Sequence, residues 1–482
     1  MSPFDAERYA RILKGLQAAE VKFSDCKDNP DFRIDAEFYE SLPAESSYFK
    51  WEPIGKHLLK SEYGISIEMN EEDKGFPIYR MNEIEDMLCI WDIAKSAAIS
   101  RSEAEIYFLK PRDVLFNRTN SQKFVGRTGL YLPFTNEQRV FASYLVRLVP
   151  DEKSLLPEYL VAYLNSSRGI RDIKRRARIS INQSNVNPEE VKAIRIPLLS
   201  NKLQLRIKDA FDIAHKNQKT AAVIMTEAET LLINTLGLRG WYPPEPLSYS
   251  RRASEAFATG RLDAELFQPK YDALRTKLKQ AAPLSPLYSF GKEILNDFVP
   301  VDSENYYYTE ISDITIGDGA VAANELLGNE LPANAKVILN GGELLVSKVR
   351  PTRGAVGIAP EGPLSNHVAS GAFFVLCVPS LAREYLQVFL RSMPGRLLLE
   401  ERCKGSSYPV LDDVDIRNVS VPAVSSVIME KMRDYVNTAH AARQRAHALL
   451  AAAKRVVEIA IEDSEIAALA YLKSEESNYA NE

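Results

Sequence analysis

The sequence contains few of the side chains that build metal sites. Its 482 residues include only four cysteines and five histidines. The cysteines are scattered, the histidines are not paired as ligands would be, and neither type shows the spacing of a zinc site. We therefore expect no structural metal and no cofactor, and we expect the four thiols to be free and buried.

Long apolar runs are also missing. Hydrophobic residues make up 45% of the chain and charged residues 26%, close to the averages of globular proteins. No stretch is long and charge-free enough to cross a bilayer, and residues 1–10 lack the regions of a secretory signal. These absences predict a cytoplasmic protein that does not associate with a membrane.

Motifs for nucleotide hydrolysis and methyl transfer are absent as well. The phosphate-binding pattern GxxxxGK[ST] needs Ser or Thr after Gly-Lys, but the two Gly-Lys pairs precede His57 and Glu293. The Pro-Pro pair at 243–244 follows Tyr242, whereas the DNA adenine methyltransferase motif has asparagine there. We therefore expect the chain to bind a partner and to have no catalytic residues of its own.

Length and charge constrain the organisation. A chain of 482 residues exceeds what one hydrophobic core usually supports, so two or three domains are expected. The net charge of −5 argues against nucleic-acid binding only if the charges are evenly spread. The distribution of Lys and Arg is therefore more informative than their total.

The chain repeats itself once. Residues 33–39 (RIDAEFY) reappear 228 positions later as 261–267 (RLDAELF). Further matches follow in the same order: 79–84 with 309–314, 111–116 with 341–346, 158–160 with 384–386, and 194–197 with 419–422. Each copy contains alternating apolar stretches typical of strands and segments with the three-and-four spacing of helices. The repeat predicts two related α+β domains.

A heptad pattern follows each copy of the repeat. In the first, the predicted interface positions are Leu203, Ile207, Ala210, Ala214, Asn217, Ala221, Ile224, Ala228, Leu231 and Thr235. In the second, they are Ile428, Met432, Tyr435, Ala439, Ala442, Ala446, Leu449, Ala453, Val456 and Ala460. The polar Asn217 could fix the register of the pair. The spacing predicts two long helices, which could equally dimerise the protein or cover its domains.

Several segments resemble the DNA-specificity subunit of type I restriction-modification systems. The resembling segments are 109–131 (LKPRDVLFNRTNSQKFVGRTGLY), 158–177 (EYLVAYLNSSRGIRDIKRRA), 180–199 (SINQSNVNPEEVKAIRIPLL), 343–359 (ELLVSKVRPTRGAVGIA) and 384–390 (EYLQVFL). The resemblance covers nearly the whole chain, from about residue 31 to about 463. Each motif is a loose hydrophobic pattern, and it is their duplication around two helices that is specific.

The resemblance implies an α+β fold in which two tandem, pseudo-symmetric target-recognition domains are joined by a long antiparallel two-helix coiled coil. The expected divisions are an N-terminal helical segment (1–30), the first recognition domain (31–199), a central helix (200–237), a linker (238–260), the second recognition domain (261–423), a C-terminal helix (424–465) and a flexible tail (466–482). At about 1.5 Å per residue each helix would be about 48 Å long, enough to separate half-sites about 34–36 Å apart.

The family's function implies partners for this chain. Each domain would read one half of a split target in double-stranded DNA, and the helices would dock two DNA methyltransferase (M) subunits, which recruit restriction and translocase (R) subunits. The two copies differ at 111–112 against 341–342 and at 180–182 against 407–409. We interpret these differences as a sign of two different half-sites, and hence of an asymmetric target.

The densest basic cluster lies at 168–178, where six cations accompany a single acidic residue, Asp172. The spacing of Arg171, Lys174, Arg175 and Arg178 would form a helical stripe able to follow phosphates. A solvated helix face is the alternative. The next polar residues, Ser180, Asn182 and Gln183, could contact bases, because amides pair with adenine, or could simply form turns.

A second basic segment recurs in both copies. Its candidate DNA contacts are Arg118, Asn120, Lys123 and Arg127 in the first copy and Lys348, Arg350 and Arg353 in the second. Lys404, Ser406, Ser407 and Tyr408 complete the candidate surface of the second copy. The sequence does not assign these residues to bases or to phosphates.

Two other functions remain open at this point. The chain could be a protein-binding scaffold of a defence complex, which would suit its acidic total charge. It could also be the recognition part of a split fused restriction-methylation enzyme.

Overall fold

The computed structural model describes residues 11–14, 21–28, 32–39, 42, 44–180, 183–295, 298–361, 366–405 and 408–480. The chain forms two compact units. Unit 1 comprises the described parts of Met1–Asn217 and Gln444–Glu482, and unit 2 comprises those of Gln218–Arg443. Both units mix helices with strands, so the predicted α+β class is confirmed.

The described strands of the first repeat copy are β1 Trp51–Pro53, β2 Leu58–Tyr63, β3 Met69–Asn70, β4 Phe76–Tyr79, β5 Ile84–Glu85, β6 Leu88–Cys89, β7 Ser96–Ala97, β8 Val114–Asn117, β9 Thr119–Asn120, β10 Thr128–Leu130, β11 Val140–Phe141, β12 Leu145–Pro150, β13 Arg178–Ile179, β14 Ser184–Asn185 and β15 Arg195–Pro197. Its helices are α1 Phe23–Asp28, α2 Arg101–Ala104, α3 Pro157–Leu164, α4 Ser167–Arg176 and α5 Pro188–Ala193, followed by the long α6 Asn201–Thr235.

The described strands of the second copy are β16 Leu284–Pro286, β17 Lys292–Glu293, β18 Asn305–Thr309, β19 Asn324–Leu327, β20 Ala335–Leu339, β21 Leu344–Ser347, β22 Val356–Ile358, β23 His367–Ser370, β24 Phe373–Cys377 and β25 Ser420–Pro422. Its helices are α7 Ala253–Thr259, α8 Pro269–Ala281, α9 Ser380–Arg391, α10 Met393–Arg402 and α11 Asp413–Arg417, followed by the long α12 Ser426–Glu462 and by α13 Glu465–Ala480.

The sheets of the two units share a plan. In unit 1 the order β2-β12-β8-β10-β6-β5 contains the antiparallel centre β12-β8-β10, and unit 2 has the matching order β17-β24-β21-β22. A second sheet contains a parallel pair in each unit, β4 with β11 and β18 with β23. A third, two-stranded sheet pairs β1 with β15 and β16 with β25. The sequence repeat therefore corresponds to a repeat of strand pairing.

Specific hydrogen bonds also recur. The hydroxyl of Tyr159 donates to the carbonyl oxygen of Pro197 at 2.5 Å, and that of Tyr385 donates to Pro422 at 2.6 Å. Each proline ends the strand that precedes a long helix. The first repeat motif behaves in the same way, because Arg33 pairs with Asp35 and donates to the carbonyl of residue 176, while its counterpart Arg261 pairs with Asp263 and donates to that of residue 402.

The two long helices run antiparallel within each unit. In unit 1 the first half of α6 shares a core with the second half of α12, and in unit 2 the second half of α6 shares a core with the first half of α12. The predicted pairing of two long antiparallel helices is therefore confirmed. Each helix contributes one half to each unit.

The burial of the predicted interface positions changes along α6. Leu203, Ile207, Ala210, Ala214, Ala221 and Ala228 are buried, whereas Asn217, Ile224, Leu231 and Thr235 are only half-buried. Beyond Ala221 the buried stripe passes instead through Met225, Leu232 and Leu236. A helix with 3.6 residues per turn drifts by about 20° per heptad against a 3.5-residue repeat. Because of this drift, the buried positions are Met225, Leu232 and Leu236 in place of the predicted Ile224, Leu231 and Thr235.

Along α12 the predicted positions stay on the buried face, and further residues are buried beside them. Met432, Ala439, Ala446, Leu449, Ala453, Val456 and Ala460 are buried, and Ile428, Tyr435 and Ala442 are half-buried. Val436, Leu450, Ala452 and Val457 are buried in addition to the predicted positions. The helix therefore faces more than one neighbour, since its second half also packs in the core of unit 1.

Three expectations about individual segments need correction. Residues 465–480 of the predicted flexible tail form α13, whose Ala468 and Leu472 are buried in the unit 1 core because they lie on one helix face. The predicted linker contains α7. The four cysteines are free, but only Cys26 and Cys89 are buried, while Cys377 is exposed. Among the described residues, none of the helices is both long and apolar enough to span a bilayer.

Candidate nucleic-acid interface

A small three-stranded sheet in unit 1 brings together two segments that were predicted separately. Strand β14 pairs with β13 on one side and with β9 on the other, so that Ser184 lies between Ile179 and Asn120. The amide of Ser180 donates to the carbonyl oxygen of Gln183 at 2.8 Å, which closes the tip of the β13–β14 hairpin. The basic segment at 118–127 and the polar segment at 178–185 thus form one surface.

Unit 2 has the same arrangement with shorter strands. Val410 forms bridges to both Val349 and Lys404, and the amide of Arg350 donates to the carbonyl oxygen of Pro409 at 2.8 Å. The segment 348–353 corresponds to the basic segment of unit 1, and 404–410 corresponds to its hairpin. We call these two arrangements the three-strand elements of units 1 and 2.

The candidate residues differ widely in exposure. Those with exposed side chains are Lys123, Arg171, Arg178, Ser180, Gln183, Arg353, Lys404 and Tyr408. Those that are half-buried are Arg118, Arg127, Lys174, Arg175, Lys348 and Arg350, and Asn120 is buried. Asn182, Ser406 and Ser407 lie outside the described residues.

The predicted phosphate-binding stripe does not form. Helix α4 ends at Arg176 and Ala177 is extended, so Arg178 lies on the following strand. The guanidinium of Arg175 is turned inward, where it binds Asp172 at 2.6 Å and the carbonyl oxygen of Phe38 at 2.7 Å. Arg171 remains an exposed member of the cluster. Regular spacing fails here because the helix is too short to carry the fourth residue.

Lys174 binds the backbone of the basic segment of unit 1. Its ammonium donates to the carbonyl oxygens of Gln122, Lys123 at 3.1 Å and Val125 at 3.0 Å. Burial lowers the pKa of Lys174, and the nearby Arg127 guanidinium lowers it further. All three ammonium donors are used within the protein. The side chain therefore supports the basic segment of unit 1, whereas it was predicted to belong to the phosphate-binding stripe of 168–178.

Two lysines of unit 2 are paired with carboxylates. Lys348 lies 3.0 Å from Asp413, and Lys404 contacts Asp412 and lies 3.5 Å from Asp415. The hydrogen bond to Asp412 raises the pKa of Lys404. These pairs reduce the positive potential of the unit 2 element, so fewer of its cations are available to an anion.

Several arginines lie against aromatic rings. Arg118 lies over Tyr63 with the guanidinium carbon 5.0 Å from the ring centroid, and Arg350 lies over Tyr408 at 5.0 Å. Arg127 lies 4.1 Å from the centroid of Phe124. Of these aromatic residues only Tyr408 was a candidate. Phe124 could have been recognised from its place within the basic segment, whereas Tyr63 is distant in sequence and gave no such signal.

Asn120 and Asn185 make hydrogen bonds within unit 1, although Nδ2 of Asn120 is buried without a partner among the described residues. Asn120 is buried, and its Oδ1 accepts from the amide of Ser121 at 2.8 Å, so it acts as a turn residue rather than as the predicted exposed contact. Asn185 accepts from Arg118 and donates to Thr119. Short amide side chains next to a tight turn satisfy the backbone first.

The difference between 111–112 and 341–342 has a structural cause. In unit 1 the guanidinium of Arg112 binds the fully buried carboxylate of Glu158 at 2.7 Å. In unit 2 the equivalent carboxylate, Glu384, is bound by Arg383 at 2.8 Å. The difference between 111–112 and 341–342 therefore changes which element supplies the arginine that pairs with the buried glutamate. It gives no information about the half-sites.

One curated protein is similar to part of this chain. A protein of Methanocaldococcus jannaschii, assigned provisionally as the specificity subunit of the type I restriction enzyme MjaX, is 27% identical over 136 residues. The match covers 28% of this chain and 32% of that relative, so the chain matches about a third of the relative's length. No family model matches the chain, and no group of three His, Cys, Asp or Glu in the described part could hold a metal.

Two solved structures of the same kind are also similar over most of their length. The HsdS subunit of Thermoanaerobacter tengcongensis is 13% identical, with a TM-score of 0.27 and coverage of 88% of this chain and 98% of that one. The type I restriction-modification S subunit of M. genitalium is 11% identical, with a TM-score of 0.35 and coverage of 90% and 98%. The M. jannaschii relative confirms the resemblance predicted from the sequence: over the matched residues this chain is similar to a type I restriction enzyme specificity subunit.

Proposed function

We propose that this chain is the sequence-specific DNA-recognition subunit of a type I restriction-modification complex and has no catalytic role itself. In this proposal each unit reads one half of a divided, asymmetric target in double-stranded DNA. The observation that carries the proposal is the recurrence of the three-strand element, with its basic segment and exposed hairpin, once in each unit.

The distribution of charge supports this function better than the total does. Exposed cations border both elements, with Lys123, Arg171 and Arg178 in unit 1 and Arg353 in unit 2. Exposed side chains at such positions can approach phosphates. The net charge of −5 is a total over the whole chain and does not describe the charge at these surfaces.

The long helices would dock two methyltransferase subunits, which in turn would bring restriction and translocase subunits. Their outer faces carry exposed apolar side chains at Leu205, Ile213, Val223 and Val427, which are 43–58% exposed. Where such residues form a contiguous patch, they are typical of protein contacts. The polar side chains around these residues would form the polar rim that surrounds the apolar centre of a protein–protein interface.

Methylation mapping tests the proposal. The full chain would be produced with the methyltransferase subunits of its host, and adenine methylation of a randomised plasmid library would be read by single-molecule sequencing. We expect one divided target with two specified halves and an unspecified gap. A continuous target, or no sequence preference, would contradict the proposal. Salt-independent DNA binding by the assembled complex would favour the scaffold function instead.

A further inference from the structure

The cations in and beside the three-strand elements differ in which groups bind their side chains. Lys174 is bound to carbonyl oxygens, and Lys348 and Lys404 are bound to carboxylates. Arg118 and Arg350 instead lie across tyrosine rings at the same distance of 5.0 Å. Each element therefore contains an arginine that lies over a tyrosine ring, with Tyr63 coming from the neighbouring β2 and Tyr408 from the unit 2 element itself.

Stacking fixes the plane of a guanidinium without using its donors. The N–H groups of arginine point outward in the plane of the guanidinium, whereas the ring contacts its face. Tyr63 is 50% exposed and Tyr408 is 56% exposed, so both pairs lie at the protein surface. The ring contact therefore uses none of the guanidinium donors, and those that no protein group uses remain for a ligand.

The backbone restrains Arg350 further. It adopts φ 46° and ψ 51°, in the left-handed region, and it precedes Pro351. A residue before proline is normally extended, so this conformation is strained. The hydrogen bond from its amide to Pro409 holds it beside Tyr408. Within the part of the chain that the structure describes, its guanidinium has only the contact with that ring.

Arg118 is restrained through its side chain. Nη2 donates to Oδ1 of Asn185 at 3.0 Å, while Nε is buried and has no hydrogen-bond partner among the described residues. A buried donor without an acceptor is costly. Because Nε is buried, an incoming acceptor would instead meet Nη1 and the second hydrogen of Nη2.

We propose that Arg118 and Arg350 are the specificity-determining residues of the two units and that each reads a guanine. This inference rests on the proposed function. Two parallel donors match the O6 and N7 acceptors that guanine presents in the major groove, and no other base offers that pair. A lysine carries the same charge but cannot form this planar, paired contact.

The test uses the full chain with its methyltransferase subunits and the methylation readout described above. For Arg350→Lys we expect the preference for guanine at one position of one half-site to fall by about tenfold or more. Arg118→Lys should do the same in the other half-site. Arg350→Gln should replace guanine with adenine at the affected position, because a glutamine amide pairs with adenine. Circular dichroism would establish that the variants are folded.

Arg252→Lys is the control, since Arg252 is exposed, lies in unit 2 at the start of α7 and is outside the three-strand element. It should leave the target unchanged. A divided wild-type target that persists unaltered in both Arg118→Lys and Arg350→Lys would overturn this inference alone. A wild-type complex with no divided target would overturn the proposed function, and the inference with it.

Discussion

Arg383 donates a hydrogen bond from Nη1 to the carbonyl oxygen of Gly342, 3.2 Å away, at the position where unit 1 has Arg112. A Cβ on Gly342 would lie 2.3 Å from that same nitrogen. The guanidinium of Arg383 thus occupies the space of the side chain that the glycine lacks. Both units keep a buried glutamate next to an arginine, although the arginine comes from different elements.

Removing the cation from the unit 1 pair should be strongly destabilising. Glu158 is fully buried, so Arg112→Met leaves a carboxylate without its partner and should cost about 3 kcal/mol. Urea unfolding followed by tryptophan fluorescence measures this, because Trp51 and Trp91 belong to unit 1. The double variant Arg112→Met, Glu158→Gln should recover most of the loss. Equal stability of the single variant and the wild type would contradict the expected role of the pair.

One helical glycine in each unit should not tolerate replacement by alanine, because the added methyl group would overlap a backbone carbonyl oxygen. A Cβ on Gly169 would lie 2.1 Å from the carbonyl oxygen of Tyr163, and one on Gly395 would lie 2.1 Å from that of Phe389. Alanine at either position should destabilise the protein by about 1–3 kcal/mol, although alanine favours helices. Thermal unfolding would measure this loss of stability.

Gly317→Ala is the control, because nothing lies within 4 Å of its added Cβ. A stabilising effect of Gly169→Ala or Gly395→Ala would show that helix propensity outweighs the overlap.

Lys174 and Arg171 should affect DNA binding in different ways. Lys174→Met removes the contacts that hold Gln122, Lys123 and Val125, so affinity should fall while the slope of log K against log salt stays the same. Arg171→Met should reduce that slope by about 0.9, as expected for one lost phosphate contact. Fluorescence anisotropy of a labelled duplex at several salt concentrations measures both. A reduced slope for Lys174→Met would mean that this lysine also reaches a phosphate.

Acid should weaken unit 2 through two histidines. Burial lowers the pKa of His367 and that of His440 below the ordinary value of 6.5. The folded protein therefore binds these protons less readily than the unfolded chain, so the stabilisation is complete above pH 6.5 and is lost as the pH falls through the lowered values. Urea unfolding by circular dichroism at several pH values should show this.

The double variant His367→Gln, His440→Gln should have a flatter pH profile below pH 6.5. His447→Gln serves as the control, since His447 is 64% exposed. A profile that the double variant leaves unchanged would assign the acid sensitivity to other groups.

The sequence predicted those features that depend on patterns. Repeated motifs such as 33–39 and 261–267 fold into the same contacts, because the same residue types meet the same neighbours. The heptads predicted which face of α6 is buried up to Ala221. Beyond that point the drift of a 3.6-residue helix carried the face to Met225, which a strict seven-residue repeat cannot anticipate.

The roles of single cations were not predictable from the sequence. Lys174 and Arg175 belong to the steepest basic cluster, yet both point at backbone carbonyls that come close only in the folded chain. Asp413 pairs with Lys348 across 65 residues. Charge patterning shows where basic residues are concentrated, whereas their partners are set by tertiary contacts.

The split of unit 1 between two separated parts of the chain has a consequence for biosynthesis. Its core includes Leu203 and also Val456 and Leu472, whereas unit 2 is continuous from residue 218 to residue 443. Ribosomes add about 5–20 residues per second, so the first-made part of unit 1, residues 1–217, waits about 10–45 s for its closing helices. The unit that begins second is therefore the first that can finish folding.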